Sequence, residues 1–302
     1  MRTVQFYRNY QNFTGGHLKV FDYFNHLRLS ADYQPKIYVT KGSARHHLWA
    51  EAPELETEFR PESADLLFIA GMDWHALEDH PDIETRKPVI NLIQSVRHAD
   101  EHDPKFQFLQ KRALRICVSN EVADVLTEAG LCNGPIHVIE NGIDFGQIPS
   151  RSSFRFDVFI GGIKERQLAG SVAEYLRELG YCVDCQTSRV DRRAFLKRIA
   201  SAKIAILLPT DAEGFYLPAL EAMAIGTPLV CLDCIGNRSF CIDGETCLMP
   251  AKSKQAITNS AIMLLGELDL AESLSNRAST LCQAYGIDRE RKQFLDLLNA
   301  IA

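Results

Sequence analysis

Two glutamates, Glu213 and Glu221, stand eight positions apart in DAEGFYLPALEAMAIGTPLV (211–230), separated by a glycine, a proline and an apolar, helix-like run. A carboxylate accepts hydrogen bonds from paired hydroxyls, so two of them suit a ligand that carries a sugar on each side of an anionic centre. The residues before Glu221 should form a loop after the strand-like KIAILLP, and Pro218 suits a first helical turn, where its missing N–H costs nothing. The N–H groups of Gly214, Phe215, Tyr216 and Leu217 are then expected to lack intrahelical partners and to point outward with the positive end of the helix, where a phosphate would satisfy them. By residue type alone the plainer reading is favoured: acids near a helix start stabilise it by about 0.3–1 kcal/mol each.

The elements that must position these groups follow a βα pattern. Short apolar runs TVQFY, KIYV, DLLFIAG, PVINLIQ and LRICVS alternate with helix-like segments in the first half, and FDVFIGG, YCVDCQ, KIAILLP and PLVCLD do so in the second. Strands apolar throughout, alternating with amphipathic helices, imply parallel sheets covered on both faces. Periodicity breaks at FGQIPSRSSFRFD (145–157), so two domains are expected, 1–150 and 151–302, with the last helix free to pack back on the first domain. Ligands of such sheets bind outside the carboxyl ends of the strands, and two halves face to face would enclose an interdomain cleft.

Composition excludes several functions. The 302 residues carry a formal net charge of −6 with no Lys/Arg run, which argues against a nucleic-acid partner. An anionic ligand must therefore be held by local groups. The opening MRTVQFYRNY has no long apolar h-region and no window approaches a bilayer span, so the expected location is cytoplasmic. Nine cysteines, many in apolar runs, read as reduced core thiols. The pairs Cys182/Cys185 and Cys231/Cys234 have knuckle spacing, yet i and i+3 on a strand project to opposite faces and converge poorly on one ion; no metal is expected.

With EGFYLPALE, the following EAMAIGTPLV, SNEVADVLTEAG and VIENGID in view, the chain resembles the GT-B retaining glycosyltransferases grouped as family GT4. The resemblance covers most of Leu114 to Pro250. It implies an α/β GT-B fold of two Rossmann-like domains with parallel sheets facing an interdomain cleft. It also implies a nucleotide-diphosphate sugar as co-substrate rather than a cofactor, held by the C-terminal domain, and a saccharide or other hydroxyl acceptor held by the N-terminal one. Carried over by motif, Glu213 faces the donor sugar and Glu221 the donor ribose.

Elsewhere the pattern fits less closely. Such enzymes usually place an Arg and a Lys after the first strand of the C-terminal domain, against the diphosphate; here FIGGIKERQ has Gly162 where the Arg is expected, leaving Lys164 and, less favoured, Arg166. Gly15 and Gly16, just before a helix, match a glycine loop that touches donor phosphate or acceptor, although two glycines also make an ordinary tight turn. In QSVRHAD, His98 matches a histidine that contacts the donor sugar, with Arg97 and Asp100 as alternative alignments. Asn237 and Arg238, in DCIGNRSFC, border the donor site in the family, while a helix capped by Asn237 is the equally weighted structural alternative.

The resulting expectation is a metal-independent glycosyl transfer with catalytic Glu213, Lys164 and His98. Two rivals stand beside it: a nucleotide-sugar epimerase or hydrolase on the same fold, and a non-catalytic nucleotide-sugar-binding subunit. Donor base and sugar, acceptor, oligomeric state and a peripheral contact at the inner face of the membrane are left open by the sequence.

Overall fold

The computed structural model describes residues 1–10, 15–43, 49, 52, 54–151 and 153–301. The chain divides into two compact units, one of residues 1–141 with 290–302 and the other of residues 142–289.

In the first unit seven strands lie parallel in the order β3-β2-β1-β4-β5-β6-β7. They are β1 (Arg2–Arg8), β2 (Tyr33–Val39), β3 (Leu55–Glu56), β4 (Leu66–Ala70), β5 (Val89–Ile93), β6 (Leu114–Cys117) and β7 (Ile136–Val138). Helices α1 (Gly15–Arg28), the short α2 (Ile83–Arg86) and α3 (Asn120–Ala129) connect them, with the final α9 (Ile287–Ala300) contributing its residues from Glu290 onward. The central strands β4 and β5 are buried along their whole length, which is why they read as continuous apolar runs rather than alternating ones. The motif SNEVADVLTEAG is a complete helix specification: the Ser119 hydroxyl accepts from the Val122 N–H at 3.3 Å, and Gly130 ends the helix at φ +64°.

An aromatic cluster ties α9 to this sheet. Phe294 lies 4.7 Å from Tyr23 and 6.0 Å from Phe68 between ring centroids, and Phe6 stacks on Phe68 at 4.6 Å. Beside it Glu290 is fully buried, with Lys19 at 2.6 Å and His26 at 2.9 Å. Burying a carboxylate against two cationic or hydrogen-bonding groups is tolerable where burying it alone is not.

The second unit has four parallel strands in the order β11-β10-β8-β9: β8 (Phe156–Gly161), β9 (Val183–Gln186), β10 (Ala202–Leu207) and β11 (Leu229–Cys231). Its helices are α4 (Arg166–Glu178), α5 (Arg192–Ala200), α6 (Leu217–Ile225), α7 (Lys254–Gly266) and α8 (Leu268–Cys282). Val158, Ile160, Ile204 and Ile206 of the central strands pack with Val172 and Leu176 of α4, Ile257 and Ala261 of α7 and Leu274 of α8.

Both sheets have a point where the strand order reverses. The chain runs from β1 outward through β2 and β3 and then returns to β4; it runs from β8 to β9 and returns to β10. Loops after the two strands that flank such a point splay apart and leave room for a ligand at the carboxyl edge. Those loops are Asn9 onward and Gly71–Asp73 in the first unit, and Gly162–Glu165 and Leu208–Tyr216 in the second. Among the described residues, no helix is long and apolar enough to cross a membrane.

Candidate functional site

At the switch point of the second sheet, β8 and β10 run side by side with Gly161 opposite Leu207. The loops that follow bring Lys164 and Glu213 into a direct ion pair, and the Thr210 hydroxyl donates to the same Glu213 oxygen at 3.1 Å. The two partners differ in exposure: the Lys164 side chain is 55% exposed and that of Glu213 only 16%. The carboxylate is therefore held in place, and the ammonium is the group free to turn toward an incoming anion.

Gly162 is where a larger side chain is excluded. A Cβ there would lie 2.2 Å from the Ala169 Cβ, so α4 packs against β8 only because this residue is glycine. An arginine at this position has no room, and the cation of the loop is supplied two residues later by Lys164. Arg166 does not join that pair; it is exposed and its Nε donates to the Ile163 carbonyl at 3.2 Å.

The helix carrying Glu221 starts as its sequence predicts. Pro218 is its second residue, and Gly226, at φ +78°, ends it. Glu221 is 5% exposed, and Arg192 from the start of α5 reaches its Oε1 with Nε at 2.7 Å and Nη2 at 2.6 Å. The other arm of Arg192 meets Gln147 Oε1 at 3.1 Å. A carboxylate this buried needs such a partner, because ionisation without one would cost several kcal/mol.

The expected row of outward-facing amides is shorter than its sequence suggests. The 3₁₀ turn Ile235–Asn237 lies against the glutamate loop, and the Tyr216 N–H donates to the Gly236 carbonyl at 2.8 Å, while that of Leu217 donates to Phe215 O at 3.1 Å. Among the described residues only Gly214 and Phe215 of the four carry no backbone hydrogen bond through their N–H. The contact depends on Gly236, whose Cβ would sit 2.3 Å from Gly214 C and Phe215 N. The Phe215 and Tyr216 side chains point inward and are buried, Phe215 lying 5.2 Å from the Phe240 ring.

Asn237 and Arg238 both make contacts within their own turn. Asn237 is fully buried; its Oδ1 accepts from the Cys234 N–H at 3.1 Å and its Nδ2 donates to Leu232 O at 2.9 Å, so the side chain ties the turn together. Arg238 closes a two-pronged pair with Asp233, at 3.0 and 2.7 Å. Cys182 is exposed and Cys185 half-buried, and their sulfurs turn to different carbonyls, of Arg155 and Ala169.

In the first unit Gly15 and Gly16 form the first turn of α1 itself rather than the loop before it. Gln94, just after β5, donates to Gly16 O at 3.1 Å, and a Cβ on Gly16 would press on its amide at 3.3 Å. That contact sets the glycine turn beside the loop that bears His98. His98 is 6% exposed, whereas Arg97 and Asp100 are exposed. Its Nδ1 lies 3.0 Å from the Ser95 carbonyl, which can only accept, so the proton is on Nδ1 and Nε2 is a bare acceptor, buried with no hydrogen-bond partner among the described residues. Burial holds its pKa down to about 4, and the imidazole is neutral at physiological pH.

The reversal point of this sheet holds a group the sequence did not single out. Arg8, the last residue of β1, donates to Asp73 after β4 and to His17 Nδ1 on α1, while Asn9 N–H reaches Asp73 at 3.1 Å. Burial pushes Asp73 up to about 7 against the pull of Arg8. Thr210, Arg192, Gln147, Gln94 and this trio had no motif to announce them. The one available signal was position: Arg8 ends one strand and Asp73 stands just beyond another, and the two strands are neighbours in the sheet.

Residues 157–267, which contain the loops of the second unit from Gly162 to Lys252, match the family model described as Glycosyl transferases group 1. No curated protein matches the sequence. Among solved structures the chain is similar to a sucrose-phosphate synthase from Thermosynechococcus elongatus, with TM-score 0.75 and 12% identity over 100% of this chain and 99% of that one. It is similar to Anabaena Alr3699/HepE in complex with UDP-glucose, with TM-score 0.78 and 15% identity over 99% and 100%. It is also similar to a glycosyltransferase from Rickettsia africae ESF-5, with TM-score 0.69 and 12% identity over 99% and 98%. At these identities the likeness is one of fold: the α/β fold with its two parallel sheets is GT-B.

Proposed function

We propose that the chain transfers a sugar from a nucleoside-diphosphate sugar to a hydroxyl acceptor, with retention of configuration, as the retaining GT4 enzymes do. The observation that carries this reading is the meeting of Lys164 and Glu213 at the reversal point of the second sheet, one a movable cation and the other a fixed carboxylate. Lys164 neutralises charge that grows on the departing diphosphate, as a positioned cation does in a preorganised site. The Gly214 and Phe215 amides assist it at the start of α6. Glu213 accepts from hydroxyls of the transferred sugar, and Glu221, oriented by Arg192, accepts from the ribose.

Retention follows from which group takes the acceptor proton. The leaving phosphate oxygen does so on the face it vacates, and no carboxylate attacks carbon. The Glu213 oxygen carries a cation and a hydroxyl donor, which suits it to hydrogen bonding rather than to nucleophilic attack. On the N-terminal unit, His98 is the group proposed to face a substrate hydroxyl, its Nε2 a buried acceptor that such a hydroxyl reaches once the loop of residues 95–100 shifts, and the Gly15–Gly16 turn lets a ligand approach the backbone. Because Lys164 supplies the charge at the phosphate, the proposed reaction needs no divalent metal.

Titration calorimetry against UDP-, GDP-, ADP- and TDP-sugars identifies the donor. UDP-sugars come first, because UDP-glucose is bound in the Anabaena structure. NMR of the product formed with saccharide acceptors then reads the anomeric configuration, with chelator present. An α-linked donor giving an α-linked product supports the reading; free sugar, an epimer formed without acceptor, or inversion refutes it.

A further inference from the structure

The opposite edge of the second sheet, at the amino ends of its strands, carries a cluster of cations that the donor loops do not use. Residues 189–203 hold six cations against the one acid Asp191 in a chain of net charge −6; Lys197, Arg198 and Lys203 stand at this edge, whereas Arg192 at the start of α5 serves Glu221. Helix α5 runs back from the carboxyl edge to this one, and its end forms a cavity of about 260 Å³ with the start of β8, lined by Arg155, Phe156, Asp184, Lys197, Arg198 and Ser201.

The charges there do not cancel. Arg198 takes Asp184 with its Nε at 2.6 Å, and Lys203 takes Asp157 at 2.8 Å, which leaves Arg155 and Lys197 exposed and, among the described residues, with no acidic partner on their side chains. A cation in the last turn of a helix complements the helix dipole, and that accounts for Lys197 and Arg198. It does not account for Arg155, which lies on no helix. Nor are the side chains needed as caps. The Ser201 N–H and hydroxyl both turn back to Lys197 O, and the Arg155 and Phe156 N–H groups both reach Ser201 O. Phe154, next to Arg155, is 52% exposed, with the Arg151 guanidinium 4.7 Å above its ring.

We propose that this cavity binds a phosphate group, gripped by Arg155 and Lys197 with Arg198 behind them, at a site separate from the nucleotide loops. A guanidinium and an ammonium lining one concavity suit a tetrahedral oxyanion, the first by paired N–H groups and the second as a point charge. The phosphate is either that of a lipid headgroup, with Phe154 entering the acyl boundary, or that of a soluble metabolite. The site does not depend on the donor assignment.

The test uses the full chain with Lys164→Ala, so that the donor loop does not contribute. Inorganic phosphate is titrated by calorimetry, and vesicles of phosphatidylcholine with and without phosphatidylglycerol are co-sedimented with the protein. Binding to phosphate, or to the phosphatidylglycerol vesicles alone, that weakens at least tenfold in Arg155→Glu/Lys197→Glu and also in the charge-removing Arg155→Gln/Lys197→Gln supports the site; which probe binds names the source. Far-UV circular dichroism confirms that both variants fold. The inference is overturned by no binding to either probe, or by binding that survives both double substitutions.

Discussion

Replacing Glu213 by Gln separates two effects that a simple loss of a contact would merge. Glu213 neutralises Lys164, the same ammonium that the proposed diphosphate needs, so carboxylate and ligand compete for one cation. The amide keeps the shape and the hydrogen bond from Thr210 but removes the charge. With Lys164 55% exposed the pair is solvent-screened, and such pairs contribute about 0.5–1 kcal/mol. Releasing it should tighten the binding of a nucleoside diphosphate by about two- to fivefold. Turnover should move the other way, by about 10²-fold, because a charged acceptor for the sugar hydroxyls is lost in the transition state. Calorimetry with UDP reads the first effect and steady-state sugar transfer the second, with Lys164→Ala as the reference that weakens both. If Glu213→Gln weakened UDP as much as Lys164→Ala does, the competition would be disproved; near wild-type turnover would remove Glu213 from the sugar site.

Two further outcomes follow from the packing and from burial. Gly162→Arg, which restores the residue expected by family resemblance, should lower Tm by about 5 °C or more, since a Cβ 2.2 Å from that of Ala169 forces α4 away at an overpacking cost of about 1–3 kcal/mol; unchanged Tm with tighter UDP binding would contradict this. His98 has its folded pKa below its unfolded one, so the unfolded chain takes up the proton first and stability falls as pH drops from about 6.5 toward 4. Between pH 7 and pH 5 that loss is about 2 kcal/mol, to be read as the difference in urea stability between wild type and His98→Asn at each pH; parallel pH profiles would show that His98 is not held neutral.

The strand pattern was legible because it needs only local information. A run such as IAILL is apolar at every position, and in water that composition is stable only between two covering layers. Helix punctuation was legible for the same reason: Ser119 and Gly130, or Pro218 and Gly226, act on backbone groups within four residues of themselves. The candidate site was legible as far as its motif residues: Lys164 and Glu213 stand in the loops after two parallel strands, and Glu221 on the helix that follows the second loop.

Only the tertiary structure decided which of those groups are available. Sequence cannot say that the Tyr216 N–H meets the Gly236 carbonyl twenty residues on, that Asn237 is turned into its own loop, or that Arg192 caps the buried Glu221. It cannot say that Gly162 is glycine because Ala169 lies against it. Hydrophobic periodicity is written into each segment by the need to hide apolar surface, so it survives reading one segment at a time. A hydrogen bond or a close backbone approach between distant segments is a property of two loops at once, and it exists only after the sheet has set them side by side.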